Sequence, residues 1–178
     1  MQIRPHVHGD ADRIAEILAA GWRQAYETFM PPAFLAQRSD PAWRRPEIVG
    51  WLDTFEPASE AVFVAELAGP VVGFIHVELG DKADLGATGC VNLLYVDAAQ
   101  QRQGVGRALL AAGADWLLAR CPGPLALSAF RDNRFRHAYA ALGGREMKQV
   151  DHVIDGREIT SVLYLWPDPR TLLLPPMP

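Results

Sequence analysis

The chain of 178 residues has little cysteine, no long apolar run and no excess of basic charge, and each lack excludes a class of protein. Its two cysteines, Cys90 and Cys121, lie apart and lack the spacing of metal ligands. We therefore expect no disulfide framework and no metal, and a reducing compartment. Without a membrane-length apolar run or a signal-peptide core, we expect a cytoplasmic protein with no membrane partner. The net charge of -4 argues against a nucleic acid partner.

The remaining composition is that of an ordinary soluble domain. Hydrophobic residues make up 49% and charged residues 21%, and the length suffices for one hydrophobic core. We expect a single domain over residues 1–166 and an irregular, proline-rich tail over residues 167–178. The tail run Leu172-Leu173-Leu174 could dock on its own domain, dock on a second subunit in a homodimer, or stay disordered.

Strands are predicted where β-branched and aromatic residues cluster between glycine- and proline-containing turns. Gly69-Pro70 separates two such runs, and Asp155-Gly156 is a strong two-residue hairpin signal. The seven predicted strands lie at Ile3 and at residues 62–67, 71–79, 90–96, 125–130, 145–154 and 157–166.

Four helices are predicted between these strands. Asp10 can cap the first, which Pro31-Pro32 stops. The others cover residues 48–55, residues 105–119, and a stretch that begins at Asp132 or Asn133 and runs to Leu142. The element order β-α-α-β-β-β-α-β-α-β-β predicts a mixed sheet, hence an α+β or mixed α/β fold. The strand-helix-strand unit over residues 90–130 should be parallel.

The most informative stretch lies at residues 95–110, where a strand ends and two glycines open a helix. The first turn of a helix has unpaired backbone N–H groups and a positive dipole end. Gly104 and Gly106 leave those groups open to an anion, and Arg102 and Arg107 add positive charge. The spacing fits neither a Walker loop nor a dinucleotide fingerprint. It predicts a phosphate site, the alternative being a glycine-containing helix start without a ligand.

The run Gln101-Arg102-Gln103-Gly104-Val105-Gly106 resembles the acetyl-CoA signature Q/R-x-x-G-x-G/A of the GNAT N-acetyltransferase superfamily. The preceding Leu94-Tyr95-Val96 is similar to the end of that family's fourth strand, and residues 133–144 resemble its next helix. Trp22, Tyr26, Pro31 and Phe34 resemble the helix pair that closes its acceptor site. The resemblance covers nearly residues 3–166. It implies a central, mostly antiparallel, twisted sheet of about seven strands flanked by helices.

The resemblance also implies acetyl-CoA as co-substrate. Backbone amides of residues 101–107 would hold its pyrophosphate, and backbone groups of Leu94 and Val96 would pair with the pantetheine arm where two strands splay apart. The N–H of Leu94 or Tyr95 could polarise the thioester carbonyl. Asn133, or Asp132 beside it, would contact the cofactor arm. Tyr139 would act as general acid toward the departing thiolate.

The acceptor side is less well defined by the sequence. Trp22, Tyr26 and Asn92 are expected to bind the acceptor. Related sequences often carry a glutamate where this chain has Cys90, so no direct carboxylate base is evident. We expect Cys90 to be a buried small residue. The amine proton would pass to water, or through waters held by Asn92 and strand carbonyls.

These residues together predict an N-acetyltransferase that moves an acetyl group from acetyl-CoA to a primary amine by direct attack in a ternary complex. Two alternatives remain from the sequence. One is a CoA-binding module without catalysis, and the other is a glycine-loop protein that binds a different phosphate ligand. Antibiotic amines, polyamines, amino acids and protein N-termini all remain candidate acceptors.

Overall fold

A computed structural model describes residues 1–81 and 84–174. It contains one seven-stranded sheet with helices on both faces, which confirms the expected α+β class. The strands are β1 (Gln2–Pro5), β2 (Glu60–Glu66), β3 (Val71–Leu79), β4 (Gly89–Val96), β5 (Leu125–Phe130), β6 (Arg145–Ile154) and β7 (Arg157–Trp166). They lie in the order β1-β2-β3-β4-β5-β7-β6. Only β4 and β5 pair in parallel among these neighbours, as expected for the strand-helix-strand unit.

The main helices are α1 (Ala11–Tyr26), α2 (Pro32–Arg38), α3 (Pro41–Asp53), α4 (Val105–Arg120) and α5 (His137–Ala141). Helix α2 was not predicted. Pro31-Pro32 was expected only to stop a helix, but α1 already ends at Tyr26, and Pro32 begins the next helix. Proline suits that first position because its φ is already helical and its missing N–H would have no partner there.

Two expected helix caps are wrong in detail. Asp10 occupies the N-cap position of α1, but its carboxylate accepts from the Val7 amide at 2.8 Å and pairs with Arg4. Asn133 does not begin α5, whose N-cap is Arg136. Instead, Asn133 Oδ1 accepts from the Phe135 amide at 2.9 Å and so caps a turn before the helix. Local side-chain bonds of this kind compete with helix formation.

The sheet is apolar on both faces. On β3, Ile75 and Val77 pack in the cluster that contains Leu109 of α4, whereas Phe74 packs in the cluster of α1 and α3. Leu172, in a short 3₁₀ helix over Pro169–Leu172, is buried in the α4 cluster. This part of the tail therefore docks on its own domain and is not irregular. Residues 175–178 of the tail lie outside the described residues.

Strands β4 and β5 pair over three positions only, from Gly89↔Leu125 to Val91↔Leu127. At the next residue, the ladder between β3 and β4 shifts register, because His76 pairs with Leu93 and Val77 with Val91. Asn92 is thus an extra residue in β4, a β-bulge. Beyond this bulge β4 leaves β5, and a groove opens between the two strands.

Candidate active site

The groove has a volume of about 600 Å³ and is bounded by α1, β4, the loop before α4, β5 and the segment that leads into α5. Most of the residues expected to bind the cofactor line it. They are Leu94, Tyr95, Val96, Gln101, Arg102, Gly104, Gly106, Arg107 and Asn133. Two others do not: the exposed Gln103 donates to the Ala99 carbonyl at 3.2 Å, and the Val105 side chain is buried in the core. Tyr139 also lines the groove.

The backbone of β4 presents alternate residues to the groove. In an antiparallel pair, the hydrogen-bonding groups of successive residues point to opposite sides of the strand. The Asp97 amide donates to the Val72 carbonyl at 2.8 Å and so points toward β3. Tyr95 is two residues earlier, so its backbone groups point to the same side, toward β3. The backbone groups of Leu94 and Val96 therefore face the groove. Of the two amides considered for polarising a carbonyl, the Leu94 amide is the one on that side.

The loop before α4 has an unusual backbone that leaves room for a ligand. Arg102 and Gly104 have φ of 62° and 82°, in the left-handed region. A Cβ on Gly104 would meet no protein atom within 4 Å, and one on Gly106 would meet only the Val96 side chain at 3.7 Å. Packing against the protein does not require Gly106 to be glycine. The open space lies in the groove, beside the positive end of α4.

Hydrogen bonds from two side chains, which the sequence did not predict, hold this loop in place. Gln101 Nε2 donates to Gln24 Oε1 on α1 at 2.9 Å and to the Val96 carbonyl at 3.1 Å. Arg107 donates to the Leu174 carbonyl in the tail. No local pattern marks Gln24, because its partner lies 77 residues away along the chain. Helix α1 is thereby tied to the loop that begins α4.

Three tyrosines meet in the groove. The hydroxyl oxygens of Tyr26 and Tyr95 are 3.3 Å apart, and α1 approaches Tyr95 closely, since a Cβ on Gly21 would lie 2.4 Å from its ring. Burial raises the pKa of Tyr139, and the neighbouring Tyr26 and Tyr164 raise it further. The Tyr139 hydroxyl therefore stays protonated at neutral pH and can donate a hydrogen bond or a proton.

Asn133 is buried, at 7% exposure, and lines the groove, whereas Asp132 is exposed. Of the two candidates for a contact with the cofactor arm, Asn133 is the one on the groove wall. Its Oδ1 is already held by the Phe135 amide. The side-chain nitrogen is the group left to reach a ligand.

Asn92 lies where the groove meets two smaller cavities. One, the α3 cavity, has a volume of about 550 Å³ and is lined by α1, α3 and the sheet. The other, of about 460 Å³, lies under β6, against Lys148 and His152. Asn92 lines all three spaces. Trp22 faces the α3 cavity and Tyr26 faces the groove, so the residues expected to bind the acceptor surround the junction between them.

A carboxylate that the sequence did not suggest stands at this junction. Glu78 on β3 lies directly opposite Cys90 in the ladder, and its Oε2 accepts from Asn92 Nδ2 at 2.8 Å. Cys90 is buried, as expected, and its Sγ is 3.4 Å from Asn92 Oδ1. Directly opposed residues of an antiparallel pair share one face of the sheet. Glu78 therefore brings a carboxylate beside the position where a glutamate on β4 was expected.

A second acidic group lies deeper in the α3 cavity. His76 Nε2 is 2.7 Å from Glu60 Oε2, and the ring of Trp51 lies 4.6 Å from that of His76. Burial alone would raise the pKa of Glu60, but hydrogen bonds from the Glu56 amide, Trp51 and His76 outweigh it and hold the pKa below its ordinary value. Glu60 is therefore an ionised carboxylate at neutral pH.

Within residues 1–81 and 84–174, no three His, Cys, Asp or Glu side chains are grouped so that they could hold a metal ion. In the same part of the chain, every helix is too short or too polar to cross a membrane.

The chain matches one family model and resembles several known acetyltransferases. The profile of the Acetyltransferase (GNAT) family matches residues 15–143. The uncharacterized N-acetyltransferase YuaI of Bacillus subtilis (strain 168) is 27% identical over 164 residues, which cover 89% of this chain and 88% of that protein.

Two solved structures illustrate the shared fold. A GCN5-related N-acetyltransferase from Rhodopseudomonas palustris matches with a TM-score of 0.72 at 19% identity, over 93% of this chain and 94% of the other. The yncA protein of Salmonella typhimurium, solved with its cofactor acetyl-CoA, matches with a TM-score of 0.66 at 20% identity, over 94% and 93% of the two chains. At such identities these structures support the fold alone.

Proposed function

Because this chain belongs to the acetyltransferase (GNAT) family, we propose that it moves the acetyl group of acetyl-CoA to a primary amine by direct attack in a ternary complex. The observation that carries the proposal is the groove between β4 and β5. One end of it is the glycine loop before α4, and one wall carries the backbone groups of Leu94 and Val96. The acetyl-CoA bound to yncA, a protein of the same fold, supports the same cofactor.

The proposed cofactor position follows the groove from the loop to the bulge. The pyrophosphate lies on the amides of residues 101–107, where the dipole of α4 and the side chains of Arg102 and Arg107 favour an anion. The pantetheine arm adds to β4 as an extra strand at Leu94 and Val96. Asn133 contacts the arm from the opposite wall. The thioester then lies near Asn92, at the junction with the α3 cavity.

The chemistry needs an uncharged amine, a stabilised oxyanion and a proton for the leaving thiolate. The amine nitrogen attacks the thioester carbon, and the Leu94 amide donates to the developing oxyanion. The amine proton passes to the Glu78 carboxylate, which Asn92 orients. As the C–S bond breaks, the Tyr139 hydroxyl protonates the CoA thiolate. A carboxylate from the neighbouring strand thus takes the role that the sequence had left to water.

The glycine loop gives the most direct test of cofactor binding. Replacing Gly104 by Val places a branched side chain in the space intended for the phosphates. Calorimetric titration with CoA should show affinity weakened by more than about tenfold, or about 1.4 kcal/mol. Gly156 is a matched control, because its φ of 75° is similar and its Cβ would also meet no protein atom within 4 Å. Both variants should lose some thermal stability, since a β-branched residue is strained at positive φ, but Gly156→Val should bind CoA normally.

Unchanged CoA affinity in a folded Gly104→Val variant would contradict the proposed cofactor position. Turnover of acetyl-CoA with a panel of primary amines tests the remainder of the proposal. If the wild-type protein binds CoA and acetylates no amine, the chain is a CoA-binding module, the alternative that the cysteine at position 90 suggested.

A further inference from the structure

The α3 cavity contains a buried arginine with an unused hydrogen-bond donor. Arg44, in the first turn of α3, is 5% exposed. Its Nε donates to the Arg38 carbonyl at 3.0 Å, and its Nη1 to Glu47 Oε2 at 2.7 Å. Its Nη2 has no hydrogen-bond partner among residues 1–81 and 84–174. A buried cationic donor without an acceptor is costly, so such a group calls for an explanation such as a missing ligand.

The guanidinium is held in a fixed position. It lies over the ring of Trp22, 4.9 Å from its centroid, and beside Trp43 at 5.3 Å. Both Arg44 and Trp22 line the α3 cavity, as do Glu47 and Trp51 from the same face of α3. Stacking and two hydrogen bonds leave Arg44 little freedom to turn away. Its one free donor nitrogen, Nη2, is therefore preorganised for an anionic acceptor such as a carboxylate oxygen.

The sheet side of the cavity carries two carboxylates. Glu60 and Glu78 lie there, where Glu78 accepts from Asn92 and Glu60 from His76. A cationic amine would be attracted to that side. On the α3 side Glu47 already pairs with Nη1 of Arg44, so an anionic group would be held there by the remaining Nη2 donor and not by a net positive charge. The cavity is bipolar in this sense and fits a ligand that carries both charges.

This bipolar cavity also leads to the reacting atoms. Asn92 lines both the cavity and the cofactor groove. Trp22 of the cavity packs edge-on against the ring of Tyr26, 4.9 Å away, which lines the groove. A ligand that bridges Arg44 and Asn92 would therefore present its amine to the thioester.

Resting on the proposed function, we infer that the acceptor is an aminocarboxylate, whose carboxylate binds Nη2 of Arg44 and whose amine lies beside Asn92. Primary amines without an anionic group would reach the same junction but would leave the Arg44 donor unpaired. No sequence pattern indicates this site, because Arg44 lies far along the chain from the phosphate loop.

The test compares amines that differ only in the carboxylate. The aminocarboxylates are glycine, β-alanine, γ-aminobutyrate and ε-aminohexanoate, each paired with the alkylamine that lacks its carboxyl group. For the chain length that spans the cavity, kcat/KM should exceed that of the paired alkylamine by about tenfold or more, as expected when a charge-assisted hydrogen bond is made. Equal kcat/KM within every pair would overturn the inference.

Arg44→Gln should remove this preference, so that kcat/KM becomes equal within each pair. Arg44→Lys, which keeps the charge without the planar donor pair, provides a second variant if the first does not fold. Arg45→Gln is the matched control. Arg45 is the next residue on α3, exposed and paired with Asp12 outside the cavity, and its loss should keep the preference. A preference that persists in both Arg44 variants would overturn the inference.

Calorimetry separates this inference from the proposed function. CoA affinity should be the same in all of these proteins. The CoA-bound wild type should bind the preferred aminocarboxylate, and the CoA-bound Arg44 variants should bind it at least about tenfold more weakly. Failure of CoA binding, or of all turnover, would contradict the acetyl-transfer proposal. If the CoA-bound wild type and the CoA-bound Arg44 variants bind the aminocarboxylate equally well, only the inference about the acceptor is contradicted.

Discussion

The cofactor groove and the α3 cavity meet at Asn92, but main-chain groups dominate one and side chains dominate the other. In the groove, the proposed cofactor contacts are mostly main-chain groups of one continuous stretch, residues 94–107, with glycines where side chains would interfere with the ligand. The α3 cavity depends on side chains from α1, α3, β2, β3 and β4 that pair with one another. Changes in the groove loop should therefore affect the ligand more than the fold. Changes in the cavity wall should affect both.

The largest effect within this comparison is expected at Tyr139, on the groove side. Tyr139→Phe keeps the ring and removes the proton donor, so kcat should fall by roughly 100-fold if Tyr139 is the main acid. Acetyl-CoA affinity should change little. Tyr164→Phe is the control, since Tyr164 contacts the Tyr139 ring but bonds to Arg136 and Glu146 and does not line the groove. If Tyr139→Phe keeps the wild-type kcat, Tyr139 is a packing residue and not the general acid.

A smaller effect is expected at the junction itself. Glu78→Gln should lower kcat/KM for the amine by about tenfold near neutral pH, with CoA affinity unchanged. The deficit should shrink as the pH rises toward the pKa of the amine, about 10.4 for a lysine-like group, because the amine then loses its proton without help. A deficit that is constant with pH would assign Glu78 to positioning and not to proton transfer.

Cys90→Ala is the matched control for that variant, because Cys90 lies opposite Glu78 in the ladder. It should retain most activity. If it abolishes turnover while CoA still binds, and alkylation of the thiol competes with acetylation of Cys90, a ping-pong route through an acetyl-cysteine replaces direct transfer.

The smallest effect is expected in the stability of the cavity wall. The pKa of Glu60 is lowered in the folded protein, so its contribution to stability is present above the unfolded pKa, about 4.3, and is lost as the pH falls through the folded value. Glu60→Gln should lower the free energy of unfolding by about 1–2 kcal/mol at pH 7, as expected for hydrogen bonds to a charged group. Urea unfolding should show this difference shrinking below about pH 4.

The exposed Glu158 on β7 provides the control, because Glu158→Gln should leave stability nearly unchanged at both pH values. A Glu60→Gln deficit that is equally large in acid would mean that packing, and not the charge of Glu60, stabilises the wall.

The sequence predicted what depends on short-range pattern. The seven strands, the parallel β4–β5 unit and the loop around Gly104 all follow from periodicity, turn residues or a helix start within a few positions. Helix α2 and the shortened α5 were missed because single residues, Pro32 and Asn133, have more than one local use. Proline can end one helix or begin another, and asparagine can cap a helix or a turn.

The cavity wall was missed for a different reason. Glu78 reaches the site only because the β3–β4 register sets it opposite Cys90, and Arg44 only because α3 packs beside α1. Gln24 is likewise placed by a contact with a distant loop. Register and helix packing are set by the whole core, so a single sequence does not reveal which distant polar residues will meet.

The bulge at Asn92 shifts the alternation of side chains along β4 by one residue. Val91 packs on the α4 side, Leu93 and Tyr95 on the α1 side, and Leu94 again on the α4 side. Because strands alternate with a period of two, the same residues in a regular strand without the bulge would have their two faces exchanged beyond Val91. The Tyr95 ring would then lie toward α4, and the Leu94 amide would face away from the groove. The extra residue in β4 therefore sets both the position of the Tyr95 ring and the direction of the Leu94 amide.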